Sequence, residues 1–163
     1  MITAEAVEQA CNDVADFSEE QMASEFERFF RTQPELCDFV VELTGESEPR
    51  IQELALFLSY MVFKAVETGG TTGPAITHSA IENAFKASEI WIERLNGLAS
   101  GDLESSMVSS FEADAEPHLL HYILSEINDT TGQDSPLTDE EKGEVFFVLK
   151  TVITSLSSVG GPF

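Results

Sequence analysis

Basic side chains are scarce in this chain. Eight Lys and Arg stand against 30 Asp and Glu in 163 residues, for a formal charge of −22. So negative a molecule repels phosphate backbones, which disfavours nucleic-acid binding through a basic groove. It is repelled by anionic membrane surfaces for the same reason. Cysteine is nearly missing too: Cys11 and Cys37 are too few for a disulfide scaffold. The most apolar stretch, Glu53 to Val66, is too short to cross a bilayer and is interrupted by Lys64. No apolar–polar alternation of useful length occurs, so strands are not expected. The opening Met-Ile-Thr-Ala-Glu-Ala-Val-Glu is acidic and lacks the basic-then-apolar order of a signal peptide. Together these absences lead to the expectation of a cytoplasmic protein with reduced thiols.

Hydrophobic residues make up 42% of the chain, with 12 Phe, enough for a packed core. Their spacing is helical. Between Glu53 and Val66, Leu54, Phe57, Leu58, Met61 and Ala65 share one face, and Leu56, Tyr60 and Phe63 cover much of another. A helix that is apolar nearly all round must be enclosed by other helices. A sister stretch, Val145 to Ile153, has the same character.

Punctuation divides the rest into further helices. Thr3 caps the first, with a stripe of Val7, Ala10, Cys11 and Val14. Ser18 and Gln21 form a capping box for the second, whose buried face is expected at Met22, Phe26, Phe29 and Phe30. Pro34 suits the first turn of a third, ended by Gly45, and Ser47-Glu-Pro49 opens the fourth. After Gly69-Gly-Thr-Thr-Gly-Pro74, Ile76-Thr77 opens a fifth helix that stops at Asn96-Gly97. Asp102 caps a short sixth carrying Met107, Val108 and Phe111. Pro117 begins a seventh, and a Thr138/Glu141 capping box opens the last, which runs to about Leu156. The fold class expected is all-α: a single domain, 1–163, bundling about eight helices.

The order of these signals repeats. Ile-Thr opens a helix at 2–3 and at 76–77, an offset of 76 − 2 = 74. A helix-starting proline recurs at Pro34 and Pro117, an offset of 117 − 34 = 83. Met-x-x-x-Phe recurs at Met22 and Met107, and each half ends in a Phe-rich core helix. Self-similarity of this kind marks duplicated units. The halves would span 1–68 and 76–158, with a linker at 69–75 and a loose tail at 159–163. They would pack across a pseudo-twofold, as a fused homodimer would, or stack as a short solenoid.

Candidate sites are few. His118 and His121 share one helix face, and with Glu116 or Glu126 they have the residue types of a zinc site. At offset 83 their counterparts are Glu35 and Asp38, so the bland reading is two solvated histidines. The chain has no Glu-x-x-His, which removes a ferritin-like di-iron centre. Cys11 and Cys37 align with Phe85 and Leu120, the signature of core fillers rather than of a nucleophile. The glycine-rich linker lacks the Gly-Lys-Ser/Thr ending of a phosphate loop, and no acidic run has the order of a calcium loop. Glu35, Asp38 and Glu42, at i, i+3 and i+7, make a single-sign stripe whose mutual repulsion a basic partner would relieve. The function expected is an acidic, non-enzymatic module, with no cofactor, that binds a basic protein through this face. The alternatives are a metal protein using His118 and His121, and a small-molecule binder with a Phe/Met-lined pocket between the halves.

Overall fold

A computed structural model describes residues 1–70, 75–96, 116–128 and 137–159. Among them are seven helices and no strand: α1 (Ala4–Ala15), α2 (Glu19–Thr32), α3 (Pro34–Leu43), α4 (Pro49–Thr68), α5 (His78–Asn96), α6 (Pro117–Asn128) and α7 (Asp139–Val159). The chain is therefore an all-α bundle. The helix expected after Asp102 lies outside the described residues, as do most of the linker and the tail.

Local chemistry sets the helix starts. The Thr3 hydroxyl accepts from the Ala6 N–H at 3.1 Å, and the Thr77 hydroxyl accepts from the Ala80 N–H at 3.1 Å. Ser18 and Gln21 close a full capping box, and so do Thr138 and Glu141. Each box satisfies two donors the helix cannot satisfy internally. Pro34, Pro49 and Pro117 sit in first turns, where their missing N–H costs nothing. At the far end of α4 the turn continues through Gly70, whose φ of 89° is open to glycine without strain.

The core lies where α4 and α7 pack against each other. Helices α1 and α3 also lie on α4, and α5 and α6 lie on α7. Leu58, Val62, Leu149, Val152 and Ile153 are fully buried. Each such side chain contributes roughly 1.5–3 kcal/mol of transfer free energy. Two serine hydroxyls inside the core are satisfied along their own helices: Ser59 donates to the Ala55 carbonyl at 2.7 Å, and Ser155 to the Thr151 carbonyl at 2.8 Å. Thr151 also donates to the Ser88 hydroxyl at 3.0 Å, tying α7 to α5.

Two expectations need correction. Phe30 is 41% exposed rather than part of the buried face of α2. It falls one residue past Phe29, which rotates it away from α4. The last helix also runs on to Val159, past Leu156, because buried Ser155 and Leu156 keep its final turns packed.

Contacts also cross between the two ends of the chain. Helix α3 packs on α5, and α1 packs on α6. The buried Gln33 side chain accepts from the Ile76 N–H at 2.8 Å, just before α5. The buried Glu116 side chain accepts from the Ile2 N–H at 2.8 Å, just before α1. The Lys64 ammonium sits 5.6 Å from the Phe17 ring, and the Lys150 ammonium sits 5.6 Å from the Trp91 ring. Trp91 is half-buried and stacks on Phe146 at 5.6 Å.

Candidate functional site

Helices α3 and α5 lie side by side, and the trough between them holds about 520 Å³. Helical geometry decides what faces it. On α3, Glu35, Asp38 and Glu42 fall at i, i+3 and i+7 and stand on one exposed edge. On α5, Glu82, Lys86 and Glu89 fall at i, i+4 and i+7 and form the opposite edge. The floor is apolar: Phe39, Leu43, Ile81 and Phe85. Phe39 meets Phe85 edge-on, with ring centroids 6.1 Å apart, and Phe85 meets Phe147 of α7 edge-on at 5.3 Å. The floor is thus a continuation of the core and is held in place by it.

Five carboxylates line the trough, with Lys86 and His78 as the groups able to offset them. The His78 imidazole lies 3.3 Å from the Glu82 carboxylate. Among the described residues, Glu35, Asp38, Glu42 and Glu89 have no ion-pair partner. Some acidic groups elsewhere are compensated. Glu67 and Glu25 both grip Arg28, at 2.7–2.8 Å, and Glu48 and Glu141 share Arg50. A broader recess along α2 combines Glu20, Glu25 and Glu27 with Arg28 and Arg31, so its field is mixed.

The residue types suggestive of zinc are not gathered. Glu116 is buried and committed to the Ile2 N–H, while His118 and His121 are exposed one turn further along α6. Among the described residues, no three His, Cys, Asp or Glu side chains are placed to hold a metal ion. Both cysteines are free thiols. Burial, then the charge of neighbouring Asp38, pushes the Cys37 thiol up to about 12. Burial also raises Cys11, against a hydrogen bond from Tyr122 that lowers it. Neither thiol has the electropositive surroundings of a nucleophile.

The trough is Phe-lined but contains no methionine; Met61 is instead buried in the core. The single-sign stripe on α3 was legible from spacing. The α5 edge was not, because its packing beside α3 comes from the fold, and nothing in the spacing pairs Phe39 with Phe85. Among the described residues no helix is long and apolar enough to cross a membrane. No family model, curated protein or solved structure matches this chain.

Proposed function

We propose that this protein is a docking module that takes a basic amphipathic helix of another protein in the trough between α3 and α5. The observation that carries the reading is the pairing of an apolar floor with four uncompensated carboxylates on its edges. An amphipathic helix laid in such a groove buries its apolar anchors on Phe39 and Phe85. Lys or Arg beside those anchors then meets Glu35, Asp38, Glu42 and Glu89. A second copy of the chain is a poor occupant, since each copy carries −22 and the trough is acidic.

The test uses a synthetic helical peptide with a Leu stripe flanked by Lys, and its twin with Glu in place of Lys. Binding is followed by fluorescence anisotropy at low and high salt. The Lys peptide should bind, weaken with salt, and lose on the order of tenfold in affinity when Asp38→Lys and Glu42→Lys are introduced together. An equal charge change at Glu20→Lys and Glu27→Lys, which line none of this trough, should matter far less. Equal losses from the two pairs would mean that net charge alone attracts the peptide, and the reading would fall.

The same reading takes the chain as two fused copies, 1–68 and 76–158, related by an approximate twofold axis. Its support is positional. At offset 74, Ile2, Val7, Ala10 and Phe17 correspond to Ile76, Ile81, Ala84 and Trp91, the first three pairs all buried. At offset 83, the buried set Gln33, Leu36, Cys37, Val40 and Thr44 corresponds to the buried set Glu116, Leu119, Leu120, Ile123 and Ile127. The Gln33–Ile76 and Glu116–Ile2 hydrogen bonds then become one contact made twice, in opposite directions. Lys64 on Phe17 and Lys150 on Trp91 correspond likewise, at 150 − 64 = 86 and 91 − 17 = 74. On this view the trough is an inter-half site, with α3 from one copy and α5 from the other.

A further inference from the structure

A twofold that brings α3 beside α5 also brings α6 beside α1, so the trough should have a twin. The residues at the twin differ in kind. Offset 83 replaces Glu35, Asp38 and Glu42 by His118, His121 and Ser125, and offset 74 replaces Glu89 by Ala15. Of the five carboxylate positions, only that of Glu82 keeps its acid, as Glu8; Glu126 adds one at the position of Leu43. The floor changes as well. The Phe39–Phe85 ring pair becomes Tyr122 with Cys11.

We infer that the two dyad-related faces have diverged, one into the ligand trough and the other into a helix-to-helix contact that takes no ligand, so that the protein takes one basic segment per chain and not two. The inference rests on the docking reading above. Its physical content is that attraction for a basic segment scales with the carboxylates at the rim, while anchoring needs aromatic rings at the floor. The α1/α6 face has lost most of the first and one of the two rings of the second.

Stoichiometry tests this directly. The Leu/Lys peptide is titrated into the full chain by isothermal calorimetry and checked by native mass spectrometry. One peptide per chain is expected, and Asp38→Lys with Glu42→Lys should remove it. Two peptides per chain in the unaltered protein would overturn the inference while leaving the docking reading intact; no binding would overturn the docking reading itself. A converse variant carries His118→Glu, His121→Asp and Ser125→Glu, all at exposed positions. With Tyr122→Phe and Cys11→Phe added, the count should rise from one to two. If circular dichroism shows that the five-fold variant does not fold, the three exposed substitutions are read alone: a second, weaker site supports the inference. A folded five-fold variant that still takes one peptide refutes the assignment of these positions as what separates the faces.

Discussion

The hydrogen bonds made by Gln33 and Glu116 allow a sharp test, because nature has put an amide at one position and a carboxylate at the other. Glu116 is 5% exposed, and its carboxylate accepts from the Ile2 N–H at 2.8 Å. Gln33 is 4% exposed and does the same for the Ile76 N–H through its amide oxygen, also at 2.8 Å. What both positions share is a long side chain ending in an acceptor, just before a helix-starting proline. If acceptor geometry is what matters, Glu116→Gln should be nearly silent. The Met1 amino group, 3.8 Å from Glu116, adds only the few tenths of a kcal/mol of a partly exposed pair. Glu116→Ala leaves the Ile2 N–H buried without its acceptor, which costs about 1–3 kcal/mol. For a chain of this length that corresponds to a fall in Tm of roughly 2–12 °C. Gln33→Ala should cost a similar amount. Urea unfolding followed by circular dichroism reads all three variants, with the midpoint moving and the slope unchanged. Should Glu116→Gln destabilise as much as Glu116→Ala, the carboxylate charge would be what holds α1 to α6, and the argument from shared geometry would be refuted.

Two further outcomes are expected. The Tyr60 hydroxyl is buried without a hydrogen-bond partner inside a cluster with Phe26, Phe29 and Phe63. Tyr60→Phe should therefore raise stability by about 1 kcal/mol, read as a higher urea midpoint, and a loss would show that the hydroxyl has a partner in solution. Cys37 should resist thiol reagents at neutral pH until the protein unfolds. Its thiol is pushed from an ordinary 9.0 to about 12, so the folded state holds the proton more tightly than the unfolded state. The resulting stabilisation is complete below pH 9 and is lost as pH rises from 9 towards 12. Comparing the alkaline unfolding of the parent with that of Cys37→Ala should show the parent losing stability more steeply through that window.

Much of the fold could be read along the chain. Thr3, Ser18, Thr77 and Thr138 accept from donors within one turn, and Pro34, Pro49 and Pro117 each remove a donor from a first turn, so their meaning is local. The errors have different causes: Phe30 lies at the edge of an apolar stripe, where a small rotation decides burial, and the end of α7 depends on what packs over it. Gln33 escaped notice, and Glu116 was weighed only as a metal ligand, because neither is apolar. Hydrophobic periodicity says nothing about a polar residue that is buried to receive an N–H from a distant segment. The only hint was that both precede a proline at matching places.

The acidic edge of the trough follows the same division. Glu35, Asp38 and Glu42 share a face because of the pitch of one helix, and that could be known from spacing alone. Glu82 and Glu89 come from a helix more than 40 residues further along, and Phe39 and Phe85 meet at 6.1 Å only when α3 and α5 are brought together. Periodicity and capping are short-range, so the residue order was sufficient for the helices and for the charge of each face. Which faces become neighbours depends on how several apolar stripes are buried at once around α4 and α7, and that is a property of the packed chain.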